Sequence, residues 1–275
     1  MLFKHQIIPL ILNKIKIFPS EDFKTGVMLY GRDKIQESEI IKGEITIMKH
    51  LVHITQNEID VAAENYFRDI SGLKINKPDS SRMYEDADAV RDKLREYIKP
   101  KALARSFSRE ALRGNGLHIE GHSFPCHILA GLEKESVLAV YAFVLTVGEL
   151  PKFDQSIIEA LYADLWGTAY INAAGDALRL YLRGQHAEPV YVSAPISPGF
   201  YDMDIKKISE LFQIVNGNEI GVYEQGFMMN PLKSCAGFYF AAENESRLKF
   251  LNERCLYCHR GSGGGCVFCC HRQKT

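Results

Sequence analysis

The chain has 275 residues, 46% of them hydrophobic and 24% charged, with a formal net charge of −1. This is globular composition, and its near-neutral balance argues against a general nucleic-acid binder, which needs a basic surface to displace counterions. No run of about 18 apolar residues occurs, so no membrane-spanning helix is expected.

The opening stretch Ile7-Ile8-Pro9-Leu10-Ile11-Leu12 is short and lacks a small-residue cleavage site, so it does not read as a secretory signal. Lys4, Lys14, Lys16 and Lys24 interrupt the apolar residues before position 47, and no clean period holds there. A clearer pattern starts at Met48. Residues 1–47 are therefore expected to be an N-terminal extension.

Thr55-Gln56-Asn57-Glu58 has the form of a capping box, and Ile59, Ala62, Ala63, Tyr66, Phe67 and Ile70 recur at helical spacing until Gly72. A second helix is predicted over 84–98, with Ala87, Val90, Leu94 and Tyr97 on one face and Pro100 as its stop. Leu117-His118-Ile119 reads as a strand, and 137–147 as a buried one because it is almost continuously apolar. A long helix over 155–183 follows, with Ala160, Ala163, Ala169, Ala173, Ala174, Ala177, Gly167 and Gly175 suited to close packing.

Residues 190–193 form the next predicted strand, leading into the turn-rich run Pro195-Ile196-Ser197-Pro198-Gly199-Phe200. Asp202 or Asp204 is expected to cap a helix carrying Ile205, Ile208, Leu211, Phe212 and Val215. Residues 220–222 and 236–241 are predicted strands. Helices and strands do not alternate regularly, so the fold class is α+β.

Five of the seven cysteines fall in the last 21 residues. Cys255 and Cys258 form one two-residue-spaced pair, Cys266 and Cys269 another, and the glycines between them allow the chain to reverse. Two such thiolate pairs can enclose a tetrahedral ion, with zinc about 2.3 Å from each sulfur. Iron–sulfur clusters take the same ligand set, and spacing does not separate the two. Cysteines clustered at one end of a chain without a signal sequence point to a reducing compartment, hence the cytoplasm. His118, His122 and His127 flank Cys126 as further ligand-type side chains, more often found as surface or loop residues. Met228 and Met229 suit either a surface that faces an irregular partner such as a corrin or, the commoner role for methionine, packing in the core.

Four further stretches occur in order: Ala142-Phe143-Val144-Leu145-Thr146-Val147-Gly148, Gly167-Thr168-Ala169, Ser197-Pro198-Gly199-Phe200, and the run from Phe227 through Asn230-Pro231-Leu232-Lys233-Ser234 to Phe240. Together they resemble the reactivation (S-adenosylmethionine-binding) domain of cobalamin-dependent methionine synthase. They look closer still to its stand-alone, cysteine-tailed relatives. The resemblance spans roughly 48–250 and leaves 251–275 as a cysteine-rich, metal-binding tail. It implies a twisted antiparallel sheet with flanking helices. It also implies a corrinoid-binding methyltransferase as partner, which carries the cobalamin, and a flavodoxin or ferredoxin as reductant. S-adenosylmethionine would then be held by Ser197, Pro198, Gly199 and Phe200, in support of reductive methylation of inactive cob(II)alamin.

Where the family carries an arginine and a tyrosine, this chain has Pro195 and Phe200, and an acidic residue of the long helix falls at Asn172. Two alternatives therefore stay open: a non-catalytic docking module with a structural zinc tail, and an iron–sulfur redox protein.

Overall fold

A computed structural model of the chain describes residues 28–29, 34–41, 45–73, 78–153 and 156–252. In chain order the first elements are β1 (Met28–Leu29), β2 (Lys34–Ile41), β3 (Ile45–His53), α1 (Gln56–Ser71), α2 (Pro78–Leu94) and β4 (Lys101–Phe107). Three short strands follow: β5 (Leu112–Arg113), β6 (Gly116–Ile119) and β7 (His122–Pro125). Then come β8 (Val137–Thr146), α3 (Ile157–Arg183), β9 (Tyr191–Val192) and α4 (Lys207–Ile214). The hairpin β10 (Tyr223–Gln225) and β11 (Met228–Asn230) leads into β12 (Ser234–Ala242), with a last helical turn α5 at Lys249–Asn252.

The main sheet has the order β1-β2-β3-β4-β8-β12-β9, and every neighbouring pair is antiparallel. The α+β class with an antiparallel sheet is thus observed. Its centre explains why 137–147 is apolar on both faces. Tyr141, Phe143 and Leu145 of β8 point into a core shared with α1, α2 and α3. Val140, Ala142 and Val144 point the other way, against Leu117 and Phe124 of the small sheet and Leu211 and Ile214 of α4. A period-two strand covered on both sides has no polar face to show.

The helical layer is organised around Trp166. Its ring stacks on Phe67 at 4.0 Å, its Nε1 donates to Ala87 O at 2.8 Å, and the Arg91 guanidinium lies 4.7 Å above it. Ala163, Ala169, Ala173 and Ala174 bury the rest of that face of α3. Thr55 N donates to Glu58 Oε2 at 2.7 Å, the backbone half of the expected capping box.

Several local expectations are corrected. Helix α2 begins at Pro78 and ends at Leu94, earlier at both ends than 84–98; proline fits the first helical turn, where its missing N–H costs nothing. Residues 220–222 are not a strand: Gly217–Ile220 is a 3-10 turn, and Gly221 at φ 79° closes it before β10 starts at Tyr223. Strand β3 pairs on one side with β2 over Lys34–Val52 and Ile41–Ile45 and on the other with β4. Met228 is 64% exposed rather than in the core, because the β10–β11 hairpin projects from the main sheet. No helix among the described residues is long and apolar enough to cross a membrane.

Candidate functional site

After β9 the chain follows the edge of β12 without becoming a regular strand. Ser193 N donates to Phe240 O at 2.9 Å, and Ser193 Oγ accepts from Phe240 N at 3.1 Å. Ile196 and Phe238 then exchange both backbone hydrogen bonds, at 2.9 and 2.7 Å. Between these contacts stands Pro195, which has no N–H to give a ladder and belongs at such an edge. Gly237 makes the approach possible. A Cβ there would lie 2.3 Å from Ile196 O and 2.7 Å from Ser197 Oγ.

Beyond Ile196 the chain folds back on itself. Phe200 N donates to Ser197 O at 3.2 Å, Gly199 N to Met203 O at 2.8 Å, and Met203 N to Phe200 O at 3.0 Å. Three residues occupy the left-handed region: Gly199 at φ 92°, Tyr201 at 53° and Asp202 at 63°. Glycine adopts that region freely, whereas each non-glycine residue there costs on the order of 1 kcal/mol. Met203 is buried and anchors the turn, while Phe200 is 59% exposed. Neither Asp202 nor Asp204 caps α4, whose N-cap position is Lys206 without a side-chain cap: Asp204 Oδ1 accepts from Lys206 N at 2.9 Å in the turn before the helix, and Asp202 Oδ2 lies 2.9 Å from His127 Nδ1. His127 also donates its backbone N–H to Tyr201 O at 3.3 Å, and the two rings meet edge-on at 6.1 Å.

A second cluster gathers residues that are far apart in sequence. Register pairs Ser234 with Thr146, and Ser234 Oγ lies 2.9 Å from Thr146 Oγ1 and 2.7 Å from Pro231 O. Gly148 N donates to Thr146 Oγ1 at 3.0 Å, and Val147 N donates to Lys233 O at 3.1 Å. Lys233 Nζ donates to Asp164 Oδ1 at 2.7 Å and Thr168 Oγ1 at 2.9 Å, crossing from the start of β12 to α3. The lysine stem needs the space left by Gly167, where a Cβ would lie 2.9 Å from Cγ and Cε. An apolar cleft lined by Tyr97, Lys99, Gly148, Glu149, Leu150 and Pro151 adjoins the cluster through Gly148. Asn172 is exposed one turn along α3, its amide donating to Thr168 O at 2.8 Å.

Ser197, Pro198, Gly199 and Phe200 thus form one continuous turn at the β12 edge. Ser234 and Phe238, four residues apart on β12, put that edge about 13 Å from the Lys233 cluster. The sequence marked His127 only as a ligand-type side chain near Cys126, not as a neighbour of Tyr201 and Asp202, and gave no signal for Asp164 beyond an acid on an exposed helical face. Burial pushes the Cys126 thiol up to about 11, which makes it a poor nucleophile. His122 faces Glu210 at 3.6 Å. Cys255, Cys258, Cys266 and Cys269 lie outside the described residues. Among the described residues no group of three or more histidine, cysteine or acidic side chains is placed to hold a metal.

No protein-family model matches the chain, and no curated protein matches it. Among solved structures, the chain is similar to the MetH reactivation domain bound to AdoHcy, at 16% sequence identity and a TM-score of 0.44. The match covers 71% of this chain and 79% of that one.

Proposed function

We propose that this protein is a reactivation-type partner of a corrinoid-dependent methyltransferase. In this reading it rests over the partner's cobalamin and presents S-adenosylmethionine to it. The observation that carries the proposal is where the resembling sequence pieces fall. Residues 142–148, 167–169, 197–200 and 227–240 are remote in sequence, yet they occupy β8, the adjoining face of α3, the β12 edge and β12 with the hairpin before it.

A cationic sulfonium needs a shallow polar site with close backbone approach. The 197–200 turn allows such an approach at Gly199, with Gly199 and Phe200 exposed. Ser197, Pro198, Gly199 and Phe200 are the proposed ligand residues. If the partner's cob(II)alamin were reduced by one electron from a flavodoxin or ferredoxin, the sulfonium held by Ser197, Pro198, Gly199 and Phe200 would supply the methyl group, leaving S-adenosylhomocysteine. This chain's task is to bind and orient the methyl donor. The thiolates of Cys255, Cys258, Cys266 and Cys269 are proposed to hold zinc or an iron–sulfur cluster, supported by their spacing. The proposed division is a main domain over 48–250 and a tail over 251–275, in the cytoplasm.

One observation favours a second reading, a docking module without methyl-donor binding. Pro195 and Phe200 supply no polar side chain, and Phe200, Ile205, Phe227, Met228 and Leu232 are exposed apolar groups around the same elements. Titration calorimetry with S-adenosylmethionine separates the two. Binding at micromolar ligand supports the first reading, and silence at millimolar ligand leaves the second.

A further inference from the structure

We infer that His127 is the positioning residue of the 197–203 turn, holding it in a shape that its own sequence does not favour. The inference rests on the proposal that this turn binds a ligand. Tyr201 and Asp202 are consecutive non-glycine residues in the left-handed region, at φ 53° and 63°. Such conformations persist only where the surroundings over-determine them, and they gather at ligand clamps.

His127 supplies that over-determination from outside the loop. It lies in the 3-10 segment His127–Gly131 that follows β7, some seventy residues earlier in the chain. Three of its groups reach the strained pair. The backbone N–H holds Tyr201 O at 3.3 Å, the ring packs edge-on against Tyr201 at 6.1 Å, and the buried Nδ1 sits obliquely 2.9 Å from Asp202 Oδ2. The segment is itself fixed. Cys126 N donates to Asn115 O at 2.8 Å, and Cys126 and Ile128 are buried in the core that also takes Met203. Fixing Tyr201 and Asp202 sets the direction in which Gly199 and Phe200 leave the sheet edge, because Gly199 N and Phe200 O bracket Met203. The small β5–β7 sheet thereby acts as a support for the candidate ligand turn.

The test compares wild type, His127→Ala, Asp202→Ala and the double variant by hydrogen exchange at the Gly199 and Met203 amides and by calorimetry with S-adenosylmethionine. His127 is partly exposed, so the single variants are expected to fold, which circular dichroism checks. Each single change should speed exchange at both amides about tenfold, with the double variant no worse than either single one, as expected of residues acting as a unit. Ligand affinity should fall in parallel, and Asp202→Asn, which keeps an acceptor and tolerates the left-handed region, should restore both readouts. Exchange within about twofold of wild type in His127→Ala, or strictly additive effects in the double variant, would overturn the inference. If wild type gives no heat with the ligand while the exchange coupling is present, the ligand proposal fails and the positioning of the turn by His127 stands.

Discussion

Lys233 Nζ lies 2.7 Å from Asp164 Oδ1, joining residues 69 positions apart and tying the start of β12 to the first half of α3. The pair is half in water, with Lys233 largely covered and Asp164 open, so its charge alone is worth less than about 1 kcal/mol. The lysine stem also packs against Gly167. Lys233→Ala should therefore cost about 1–2 kcal/mol, read as a lower urea midpoint with an unchanged slope. An unchanged midpoint would mean that this cross-link is decorative.

Gly237 makes the tightest approach found for a glycine among the described residues. A methyl group there would meet a backbone oxygen at 2.3 Å, which no rotamer change relieves. Gly237→Ala should destabilise the protein by about 2–3 kcal/mol and release the 193–197 segment from the β12 edge. Denaturant unfolding together with loss of amide protection at Ile196 and Phe238 checks both effects. A variant of wild-type stability would show that the two backbones can part freely.

His50 should make stability depend on pH. Its ring is 1% exposed beside Tyr141 and Tyr181, and burial, with a smaller repulsion from His186, lowers its pKa from 6.5 to about 4. The unfolded chain takes up the proton first as pH falls. Stability is thus complete above about pH 6.5 and is lost progressively toward pH 4, by about 3 kcal/mol in all. His50→Phe should flatten most of this dependence in urea unfolding measured between those limits. A variant with the wild-type slope would assign the effect to other groups.

The cysteine tail should bring one metal site per chain. Elemental analysis of anaerobically purified protein should find zinc if the sample is colourless, and iron with sulfide if it is brown. Cys258→Ser or Cys266→Ser should release the metal. Metal-free wild-type protein would show that the tail cysteines hold no metal.

How much was legible follows from how local each signal is. β8 and α3 were readable because a run apolar on both faces and a seam of alanines each carry their partner's shape in their own residues. β4 was not, since Lys101-Ala102-Leu103-Ala104-Arg105 mixes helix formers with charges, and only its place between β3 and β8 makes it extended. The 197–200 turn was visible in its proline and glycine. Its support by His127 and the Lys233–Asp164 tie were not, because nothing in a sequence marks two distant side chains as neighbours.

In the proposed complex this protein lies against the partner's corrin. The direct measurement is the visible absorption spectrum of a cob(II)alamin-loaded methyltransferase titrated with this protein, before and after addition of S-adenosylmethionine and a reductant. A saturable change on mixing is expected, with conversion to methylcobalamin once both reagents are present. A spectrum that stays fixed through the whole titration, with no complex on sedimentation, would rule out the corrin contact.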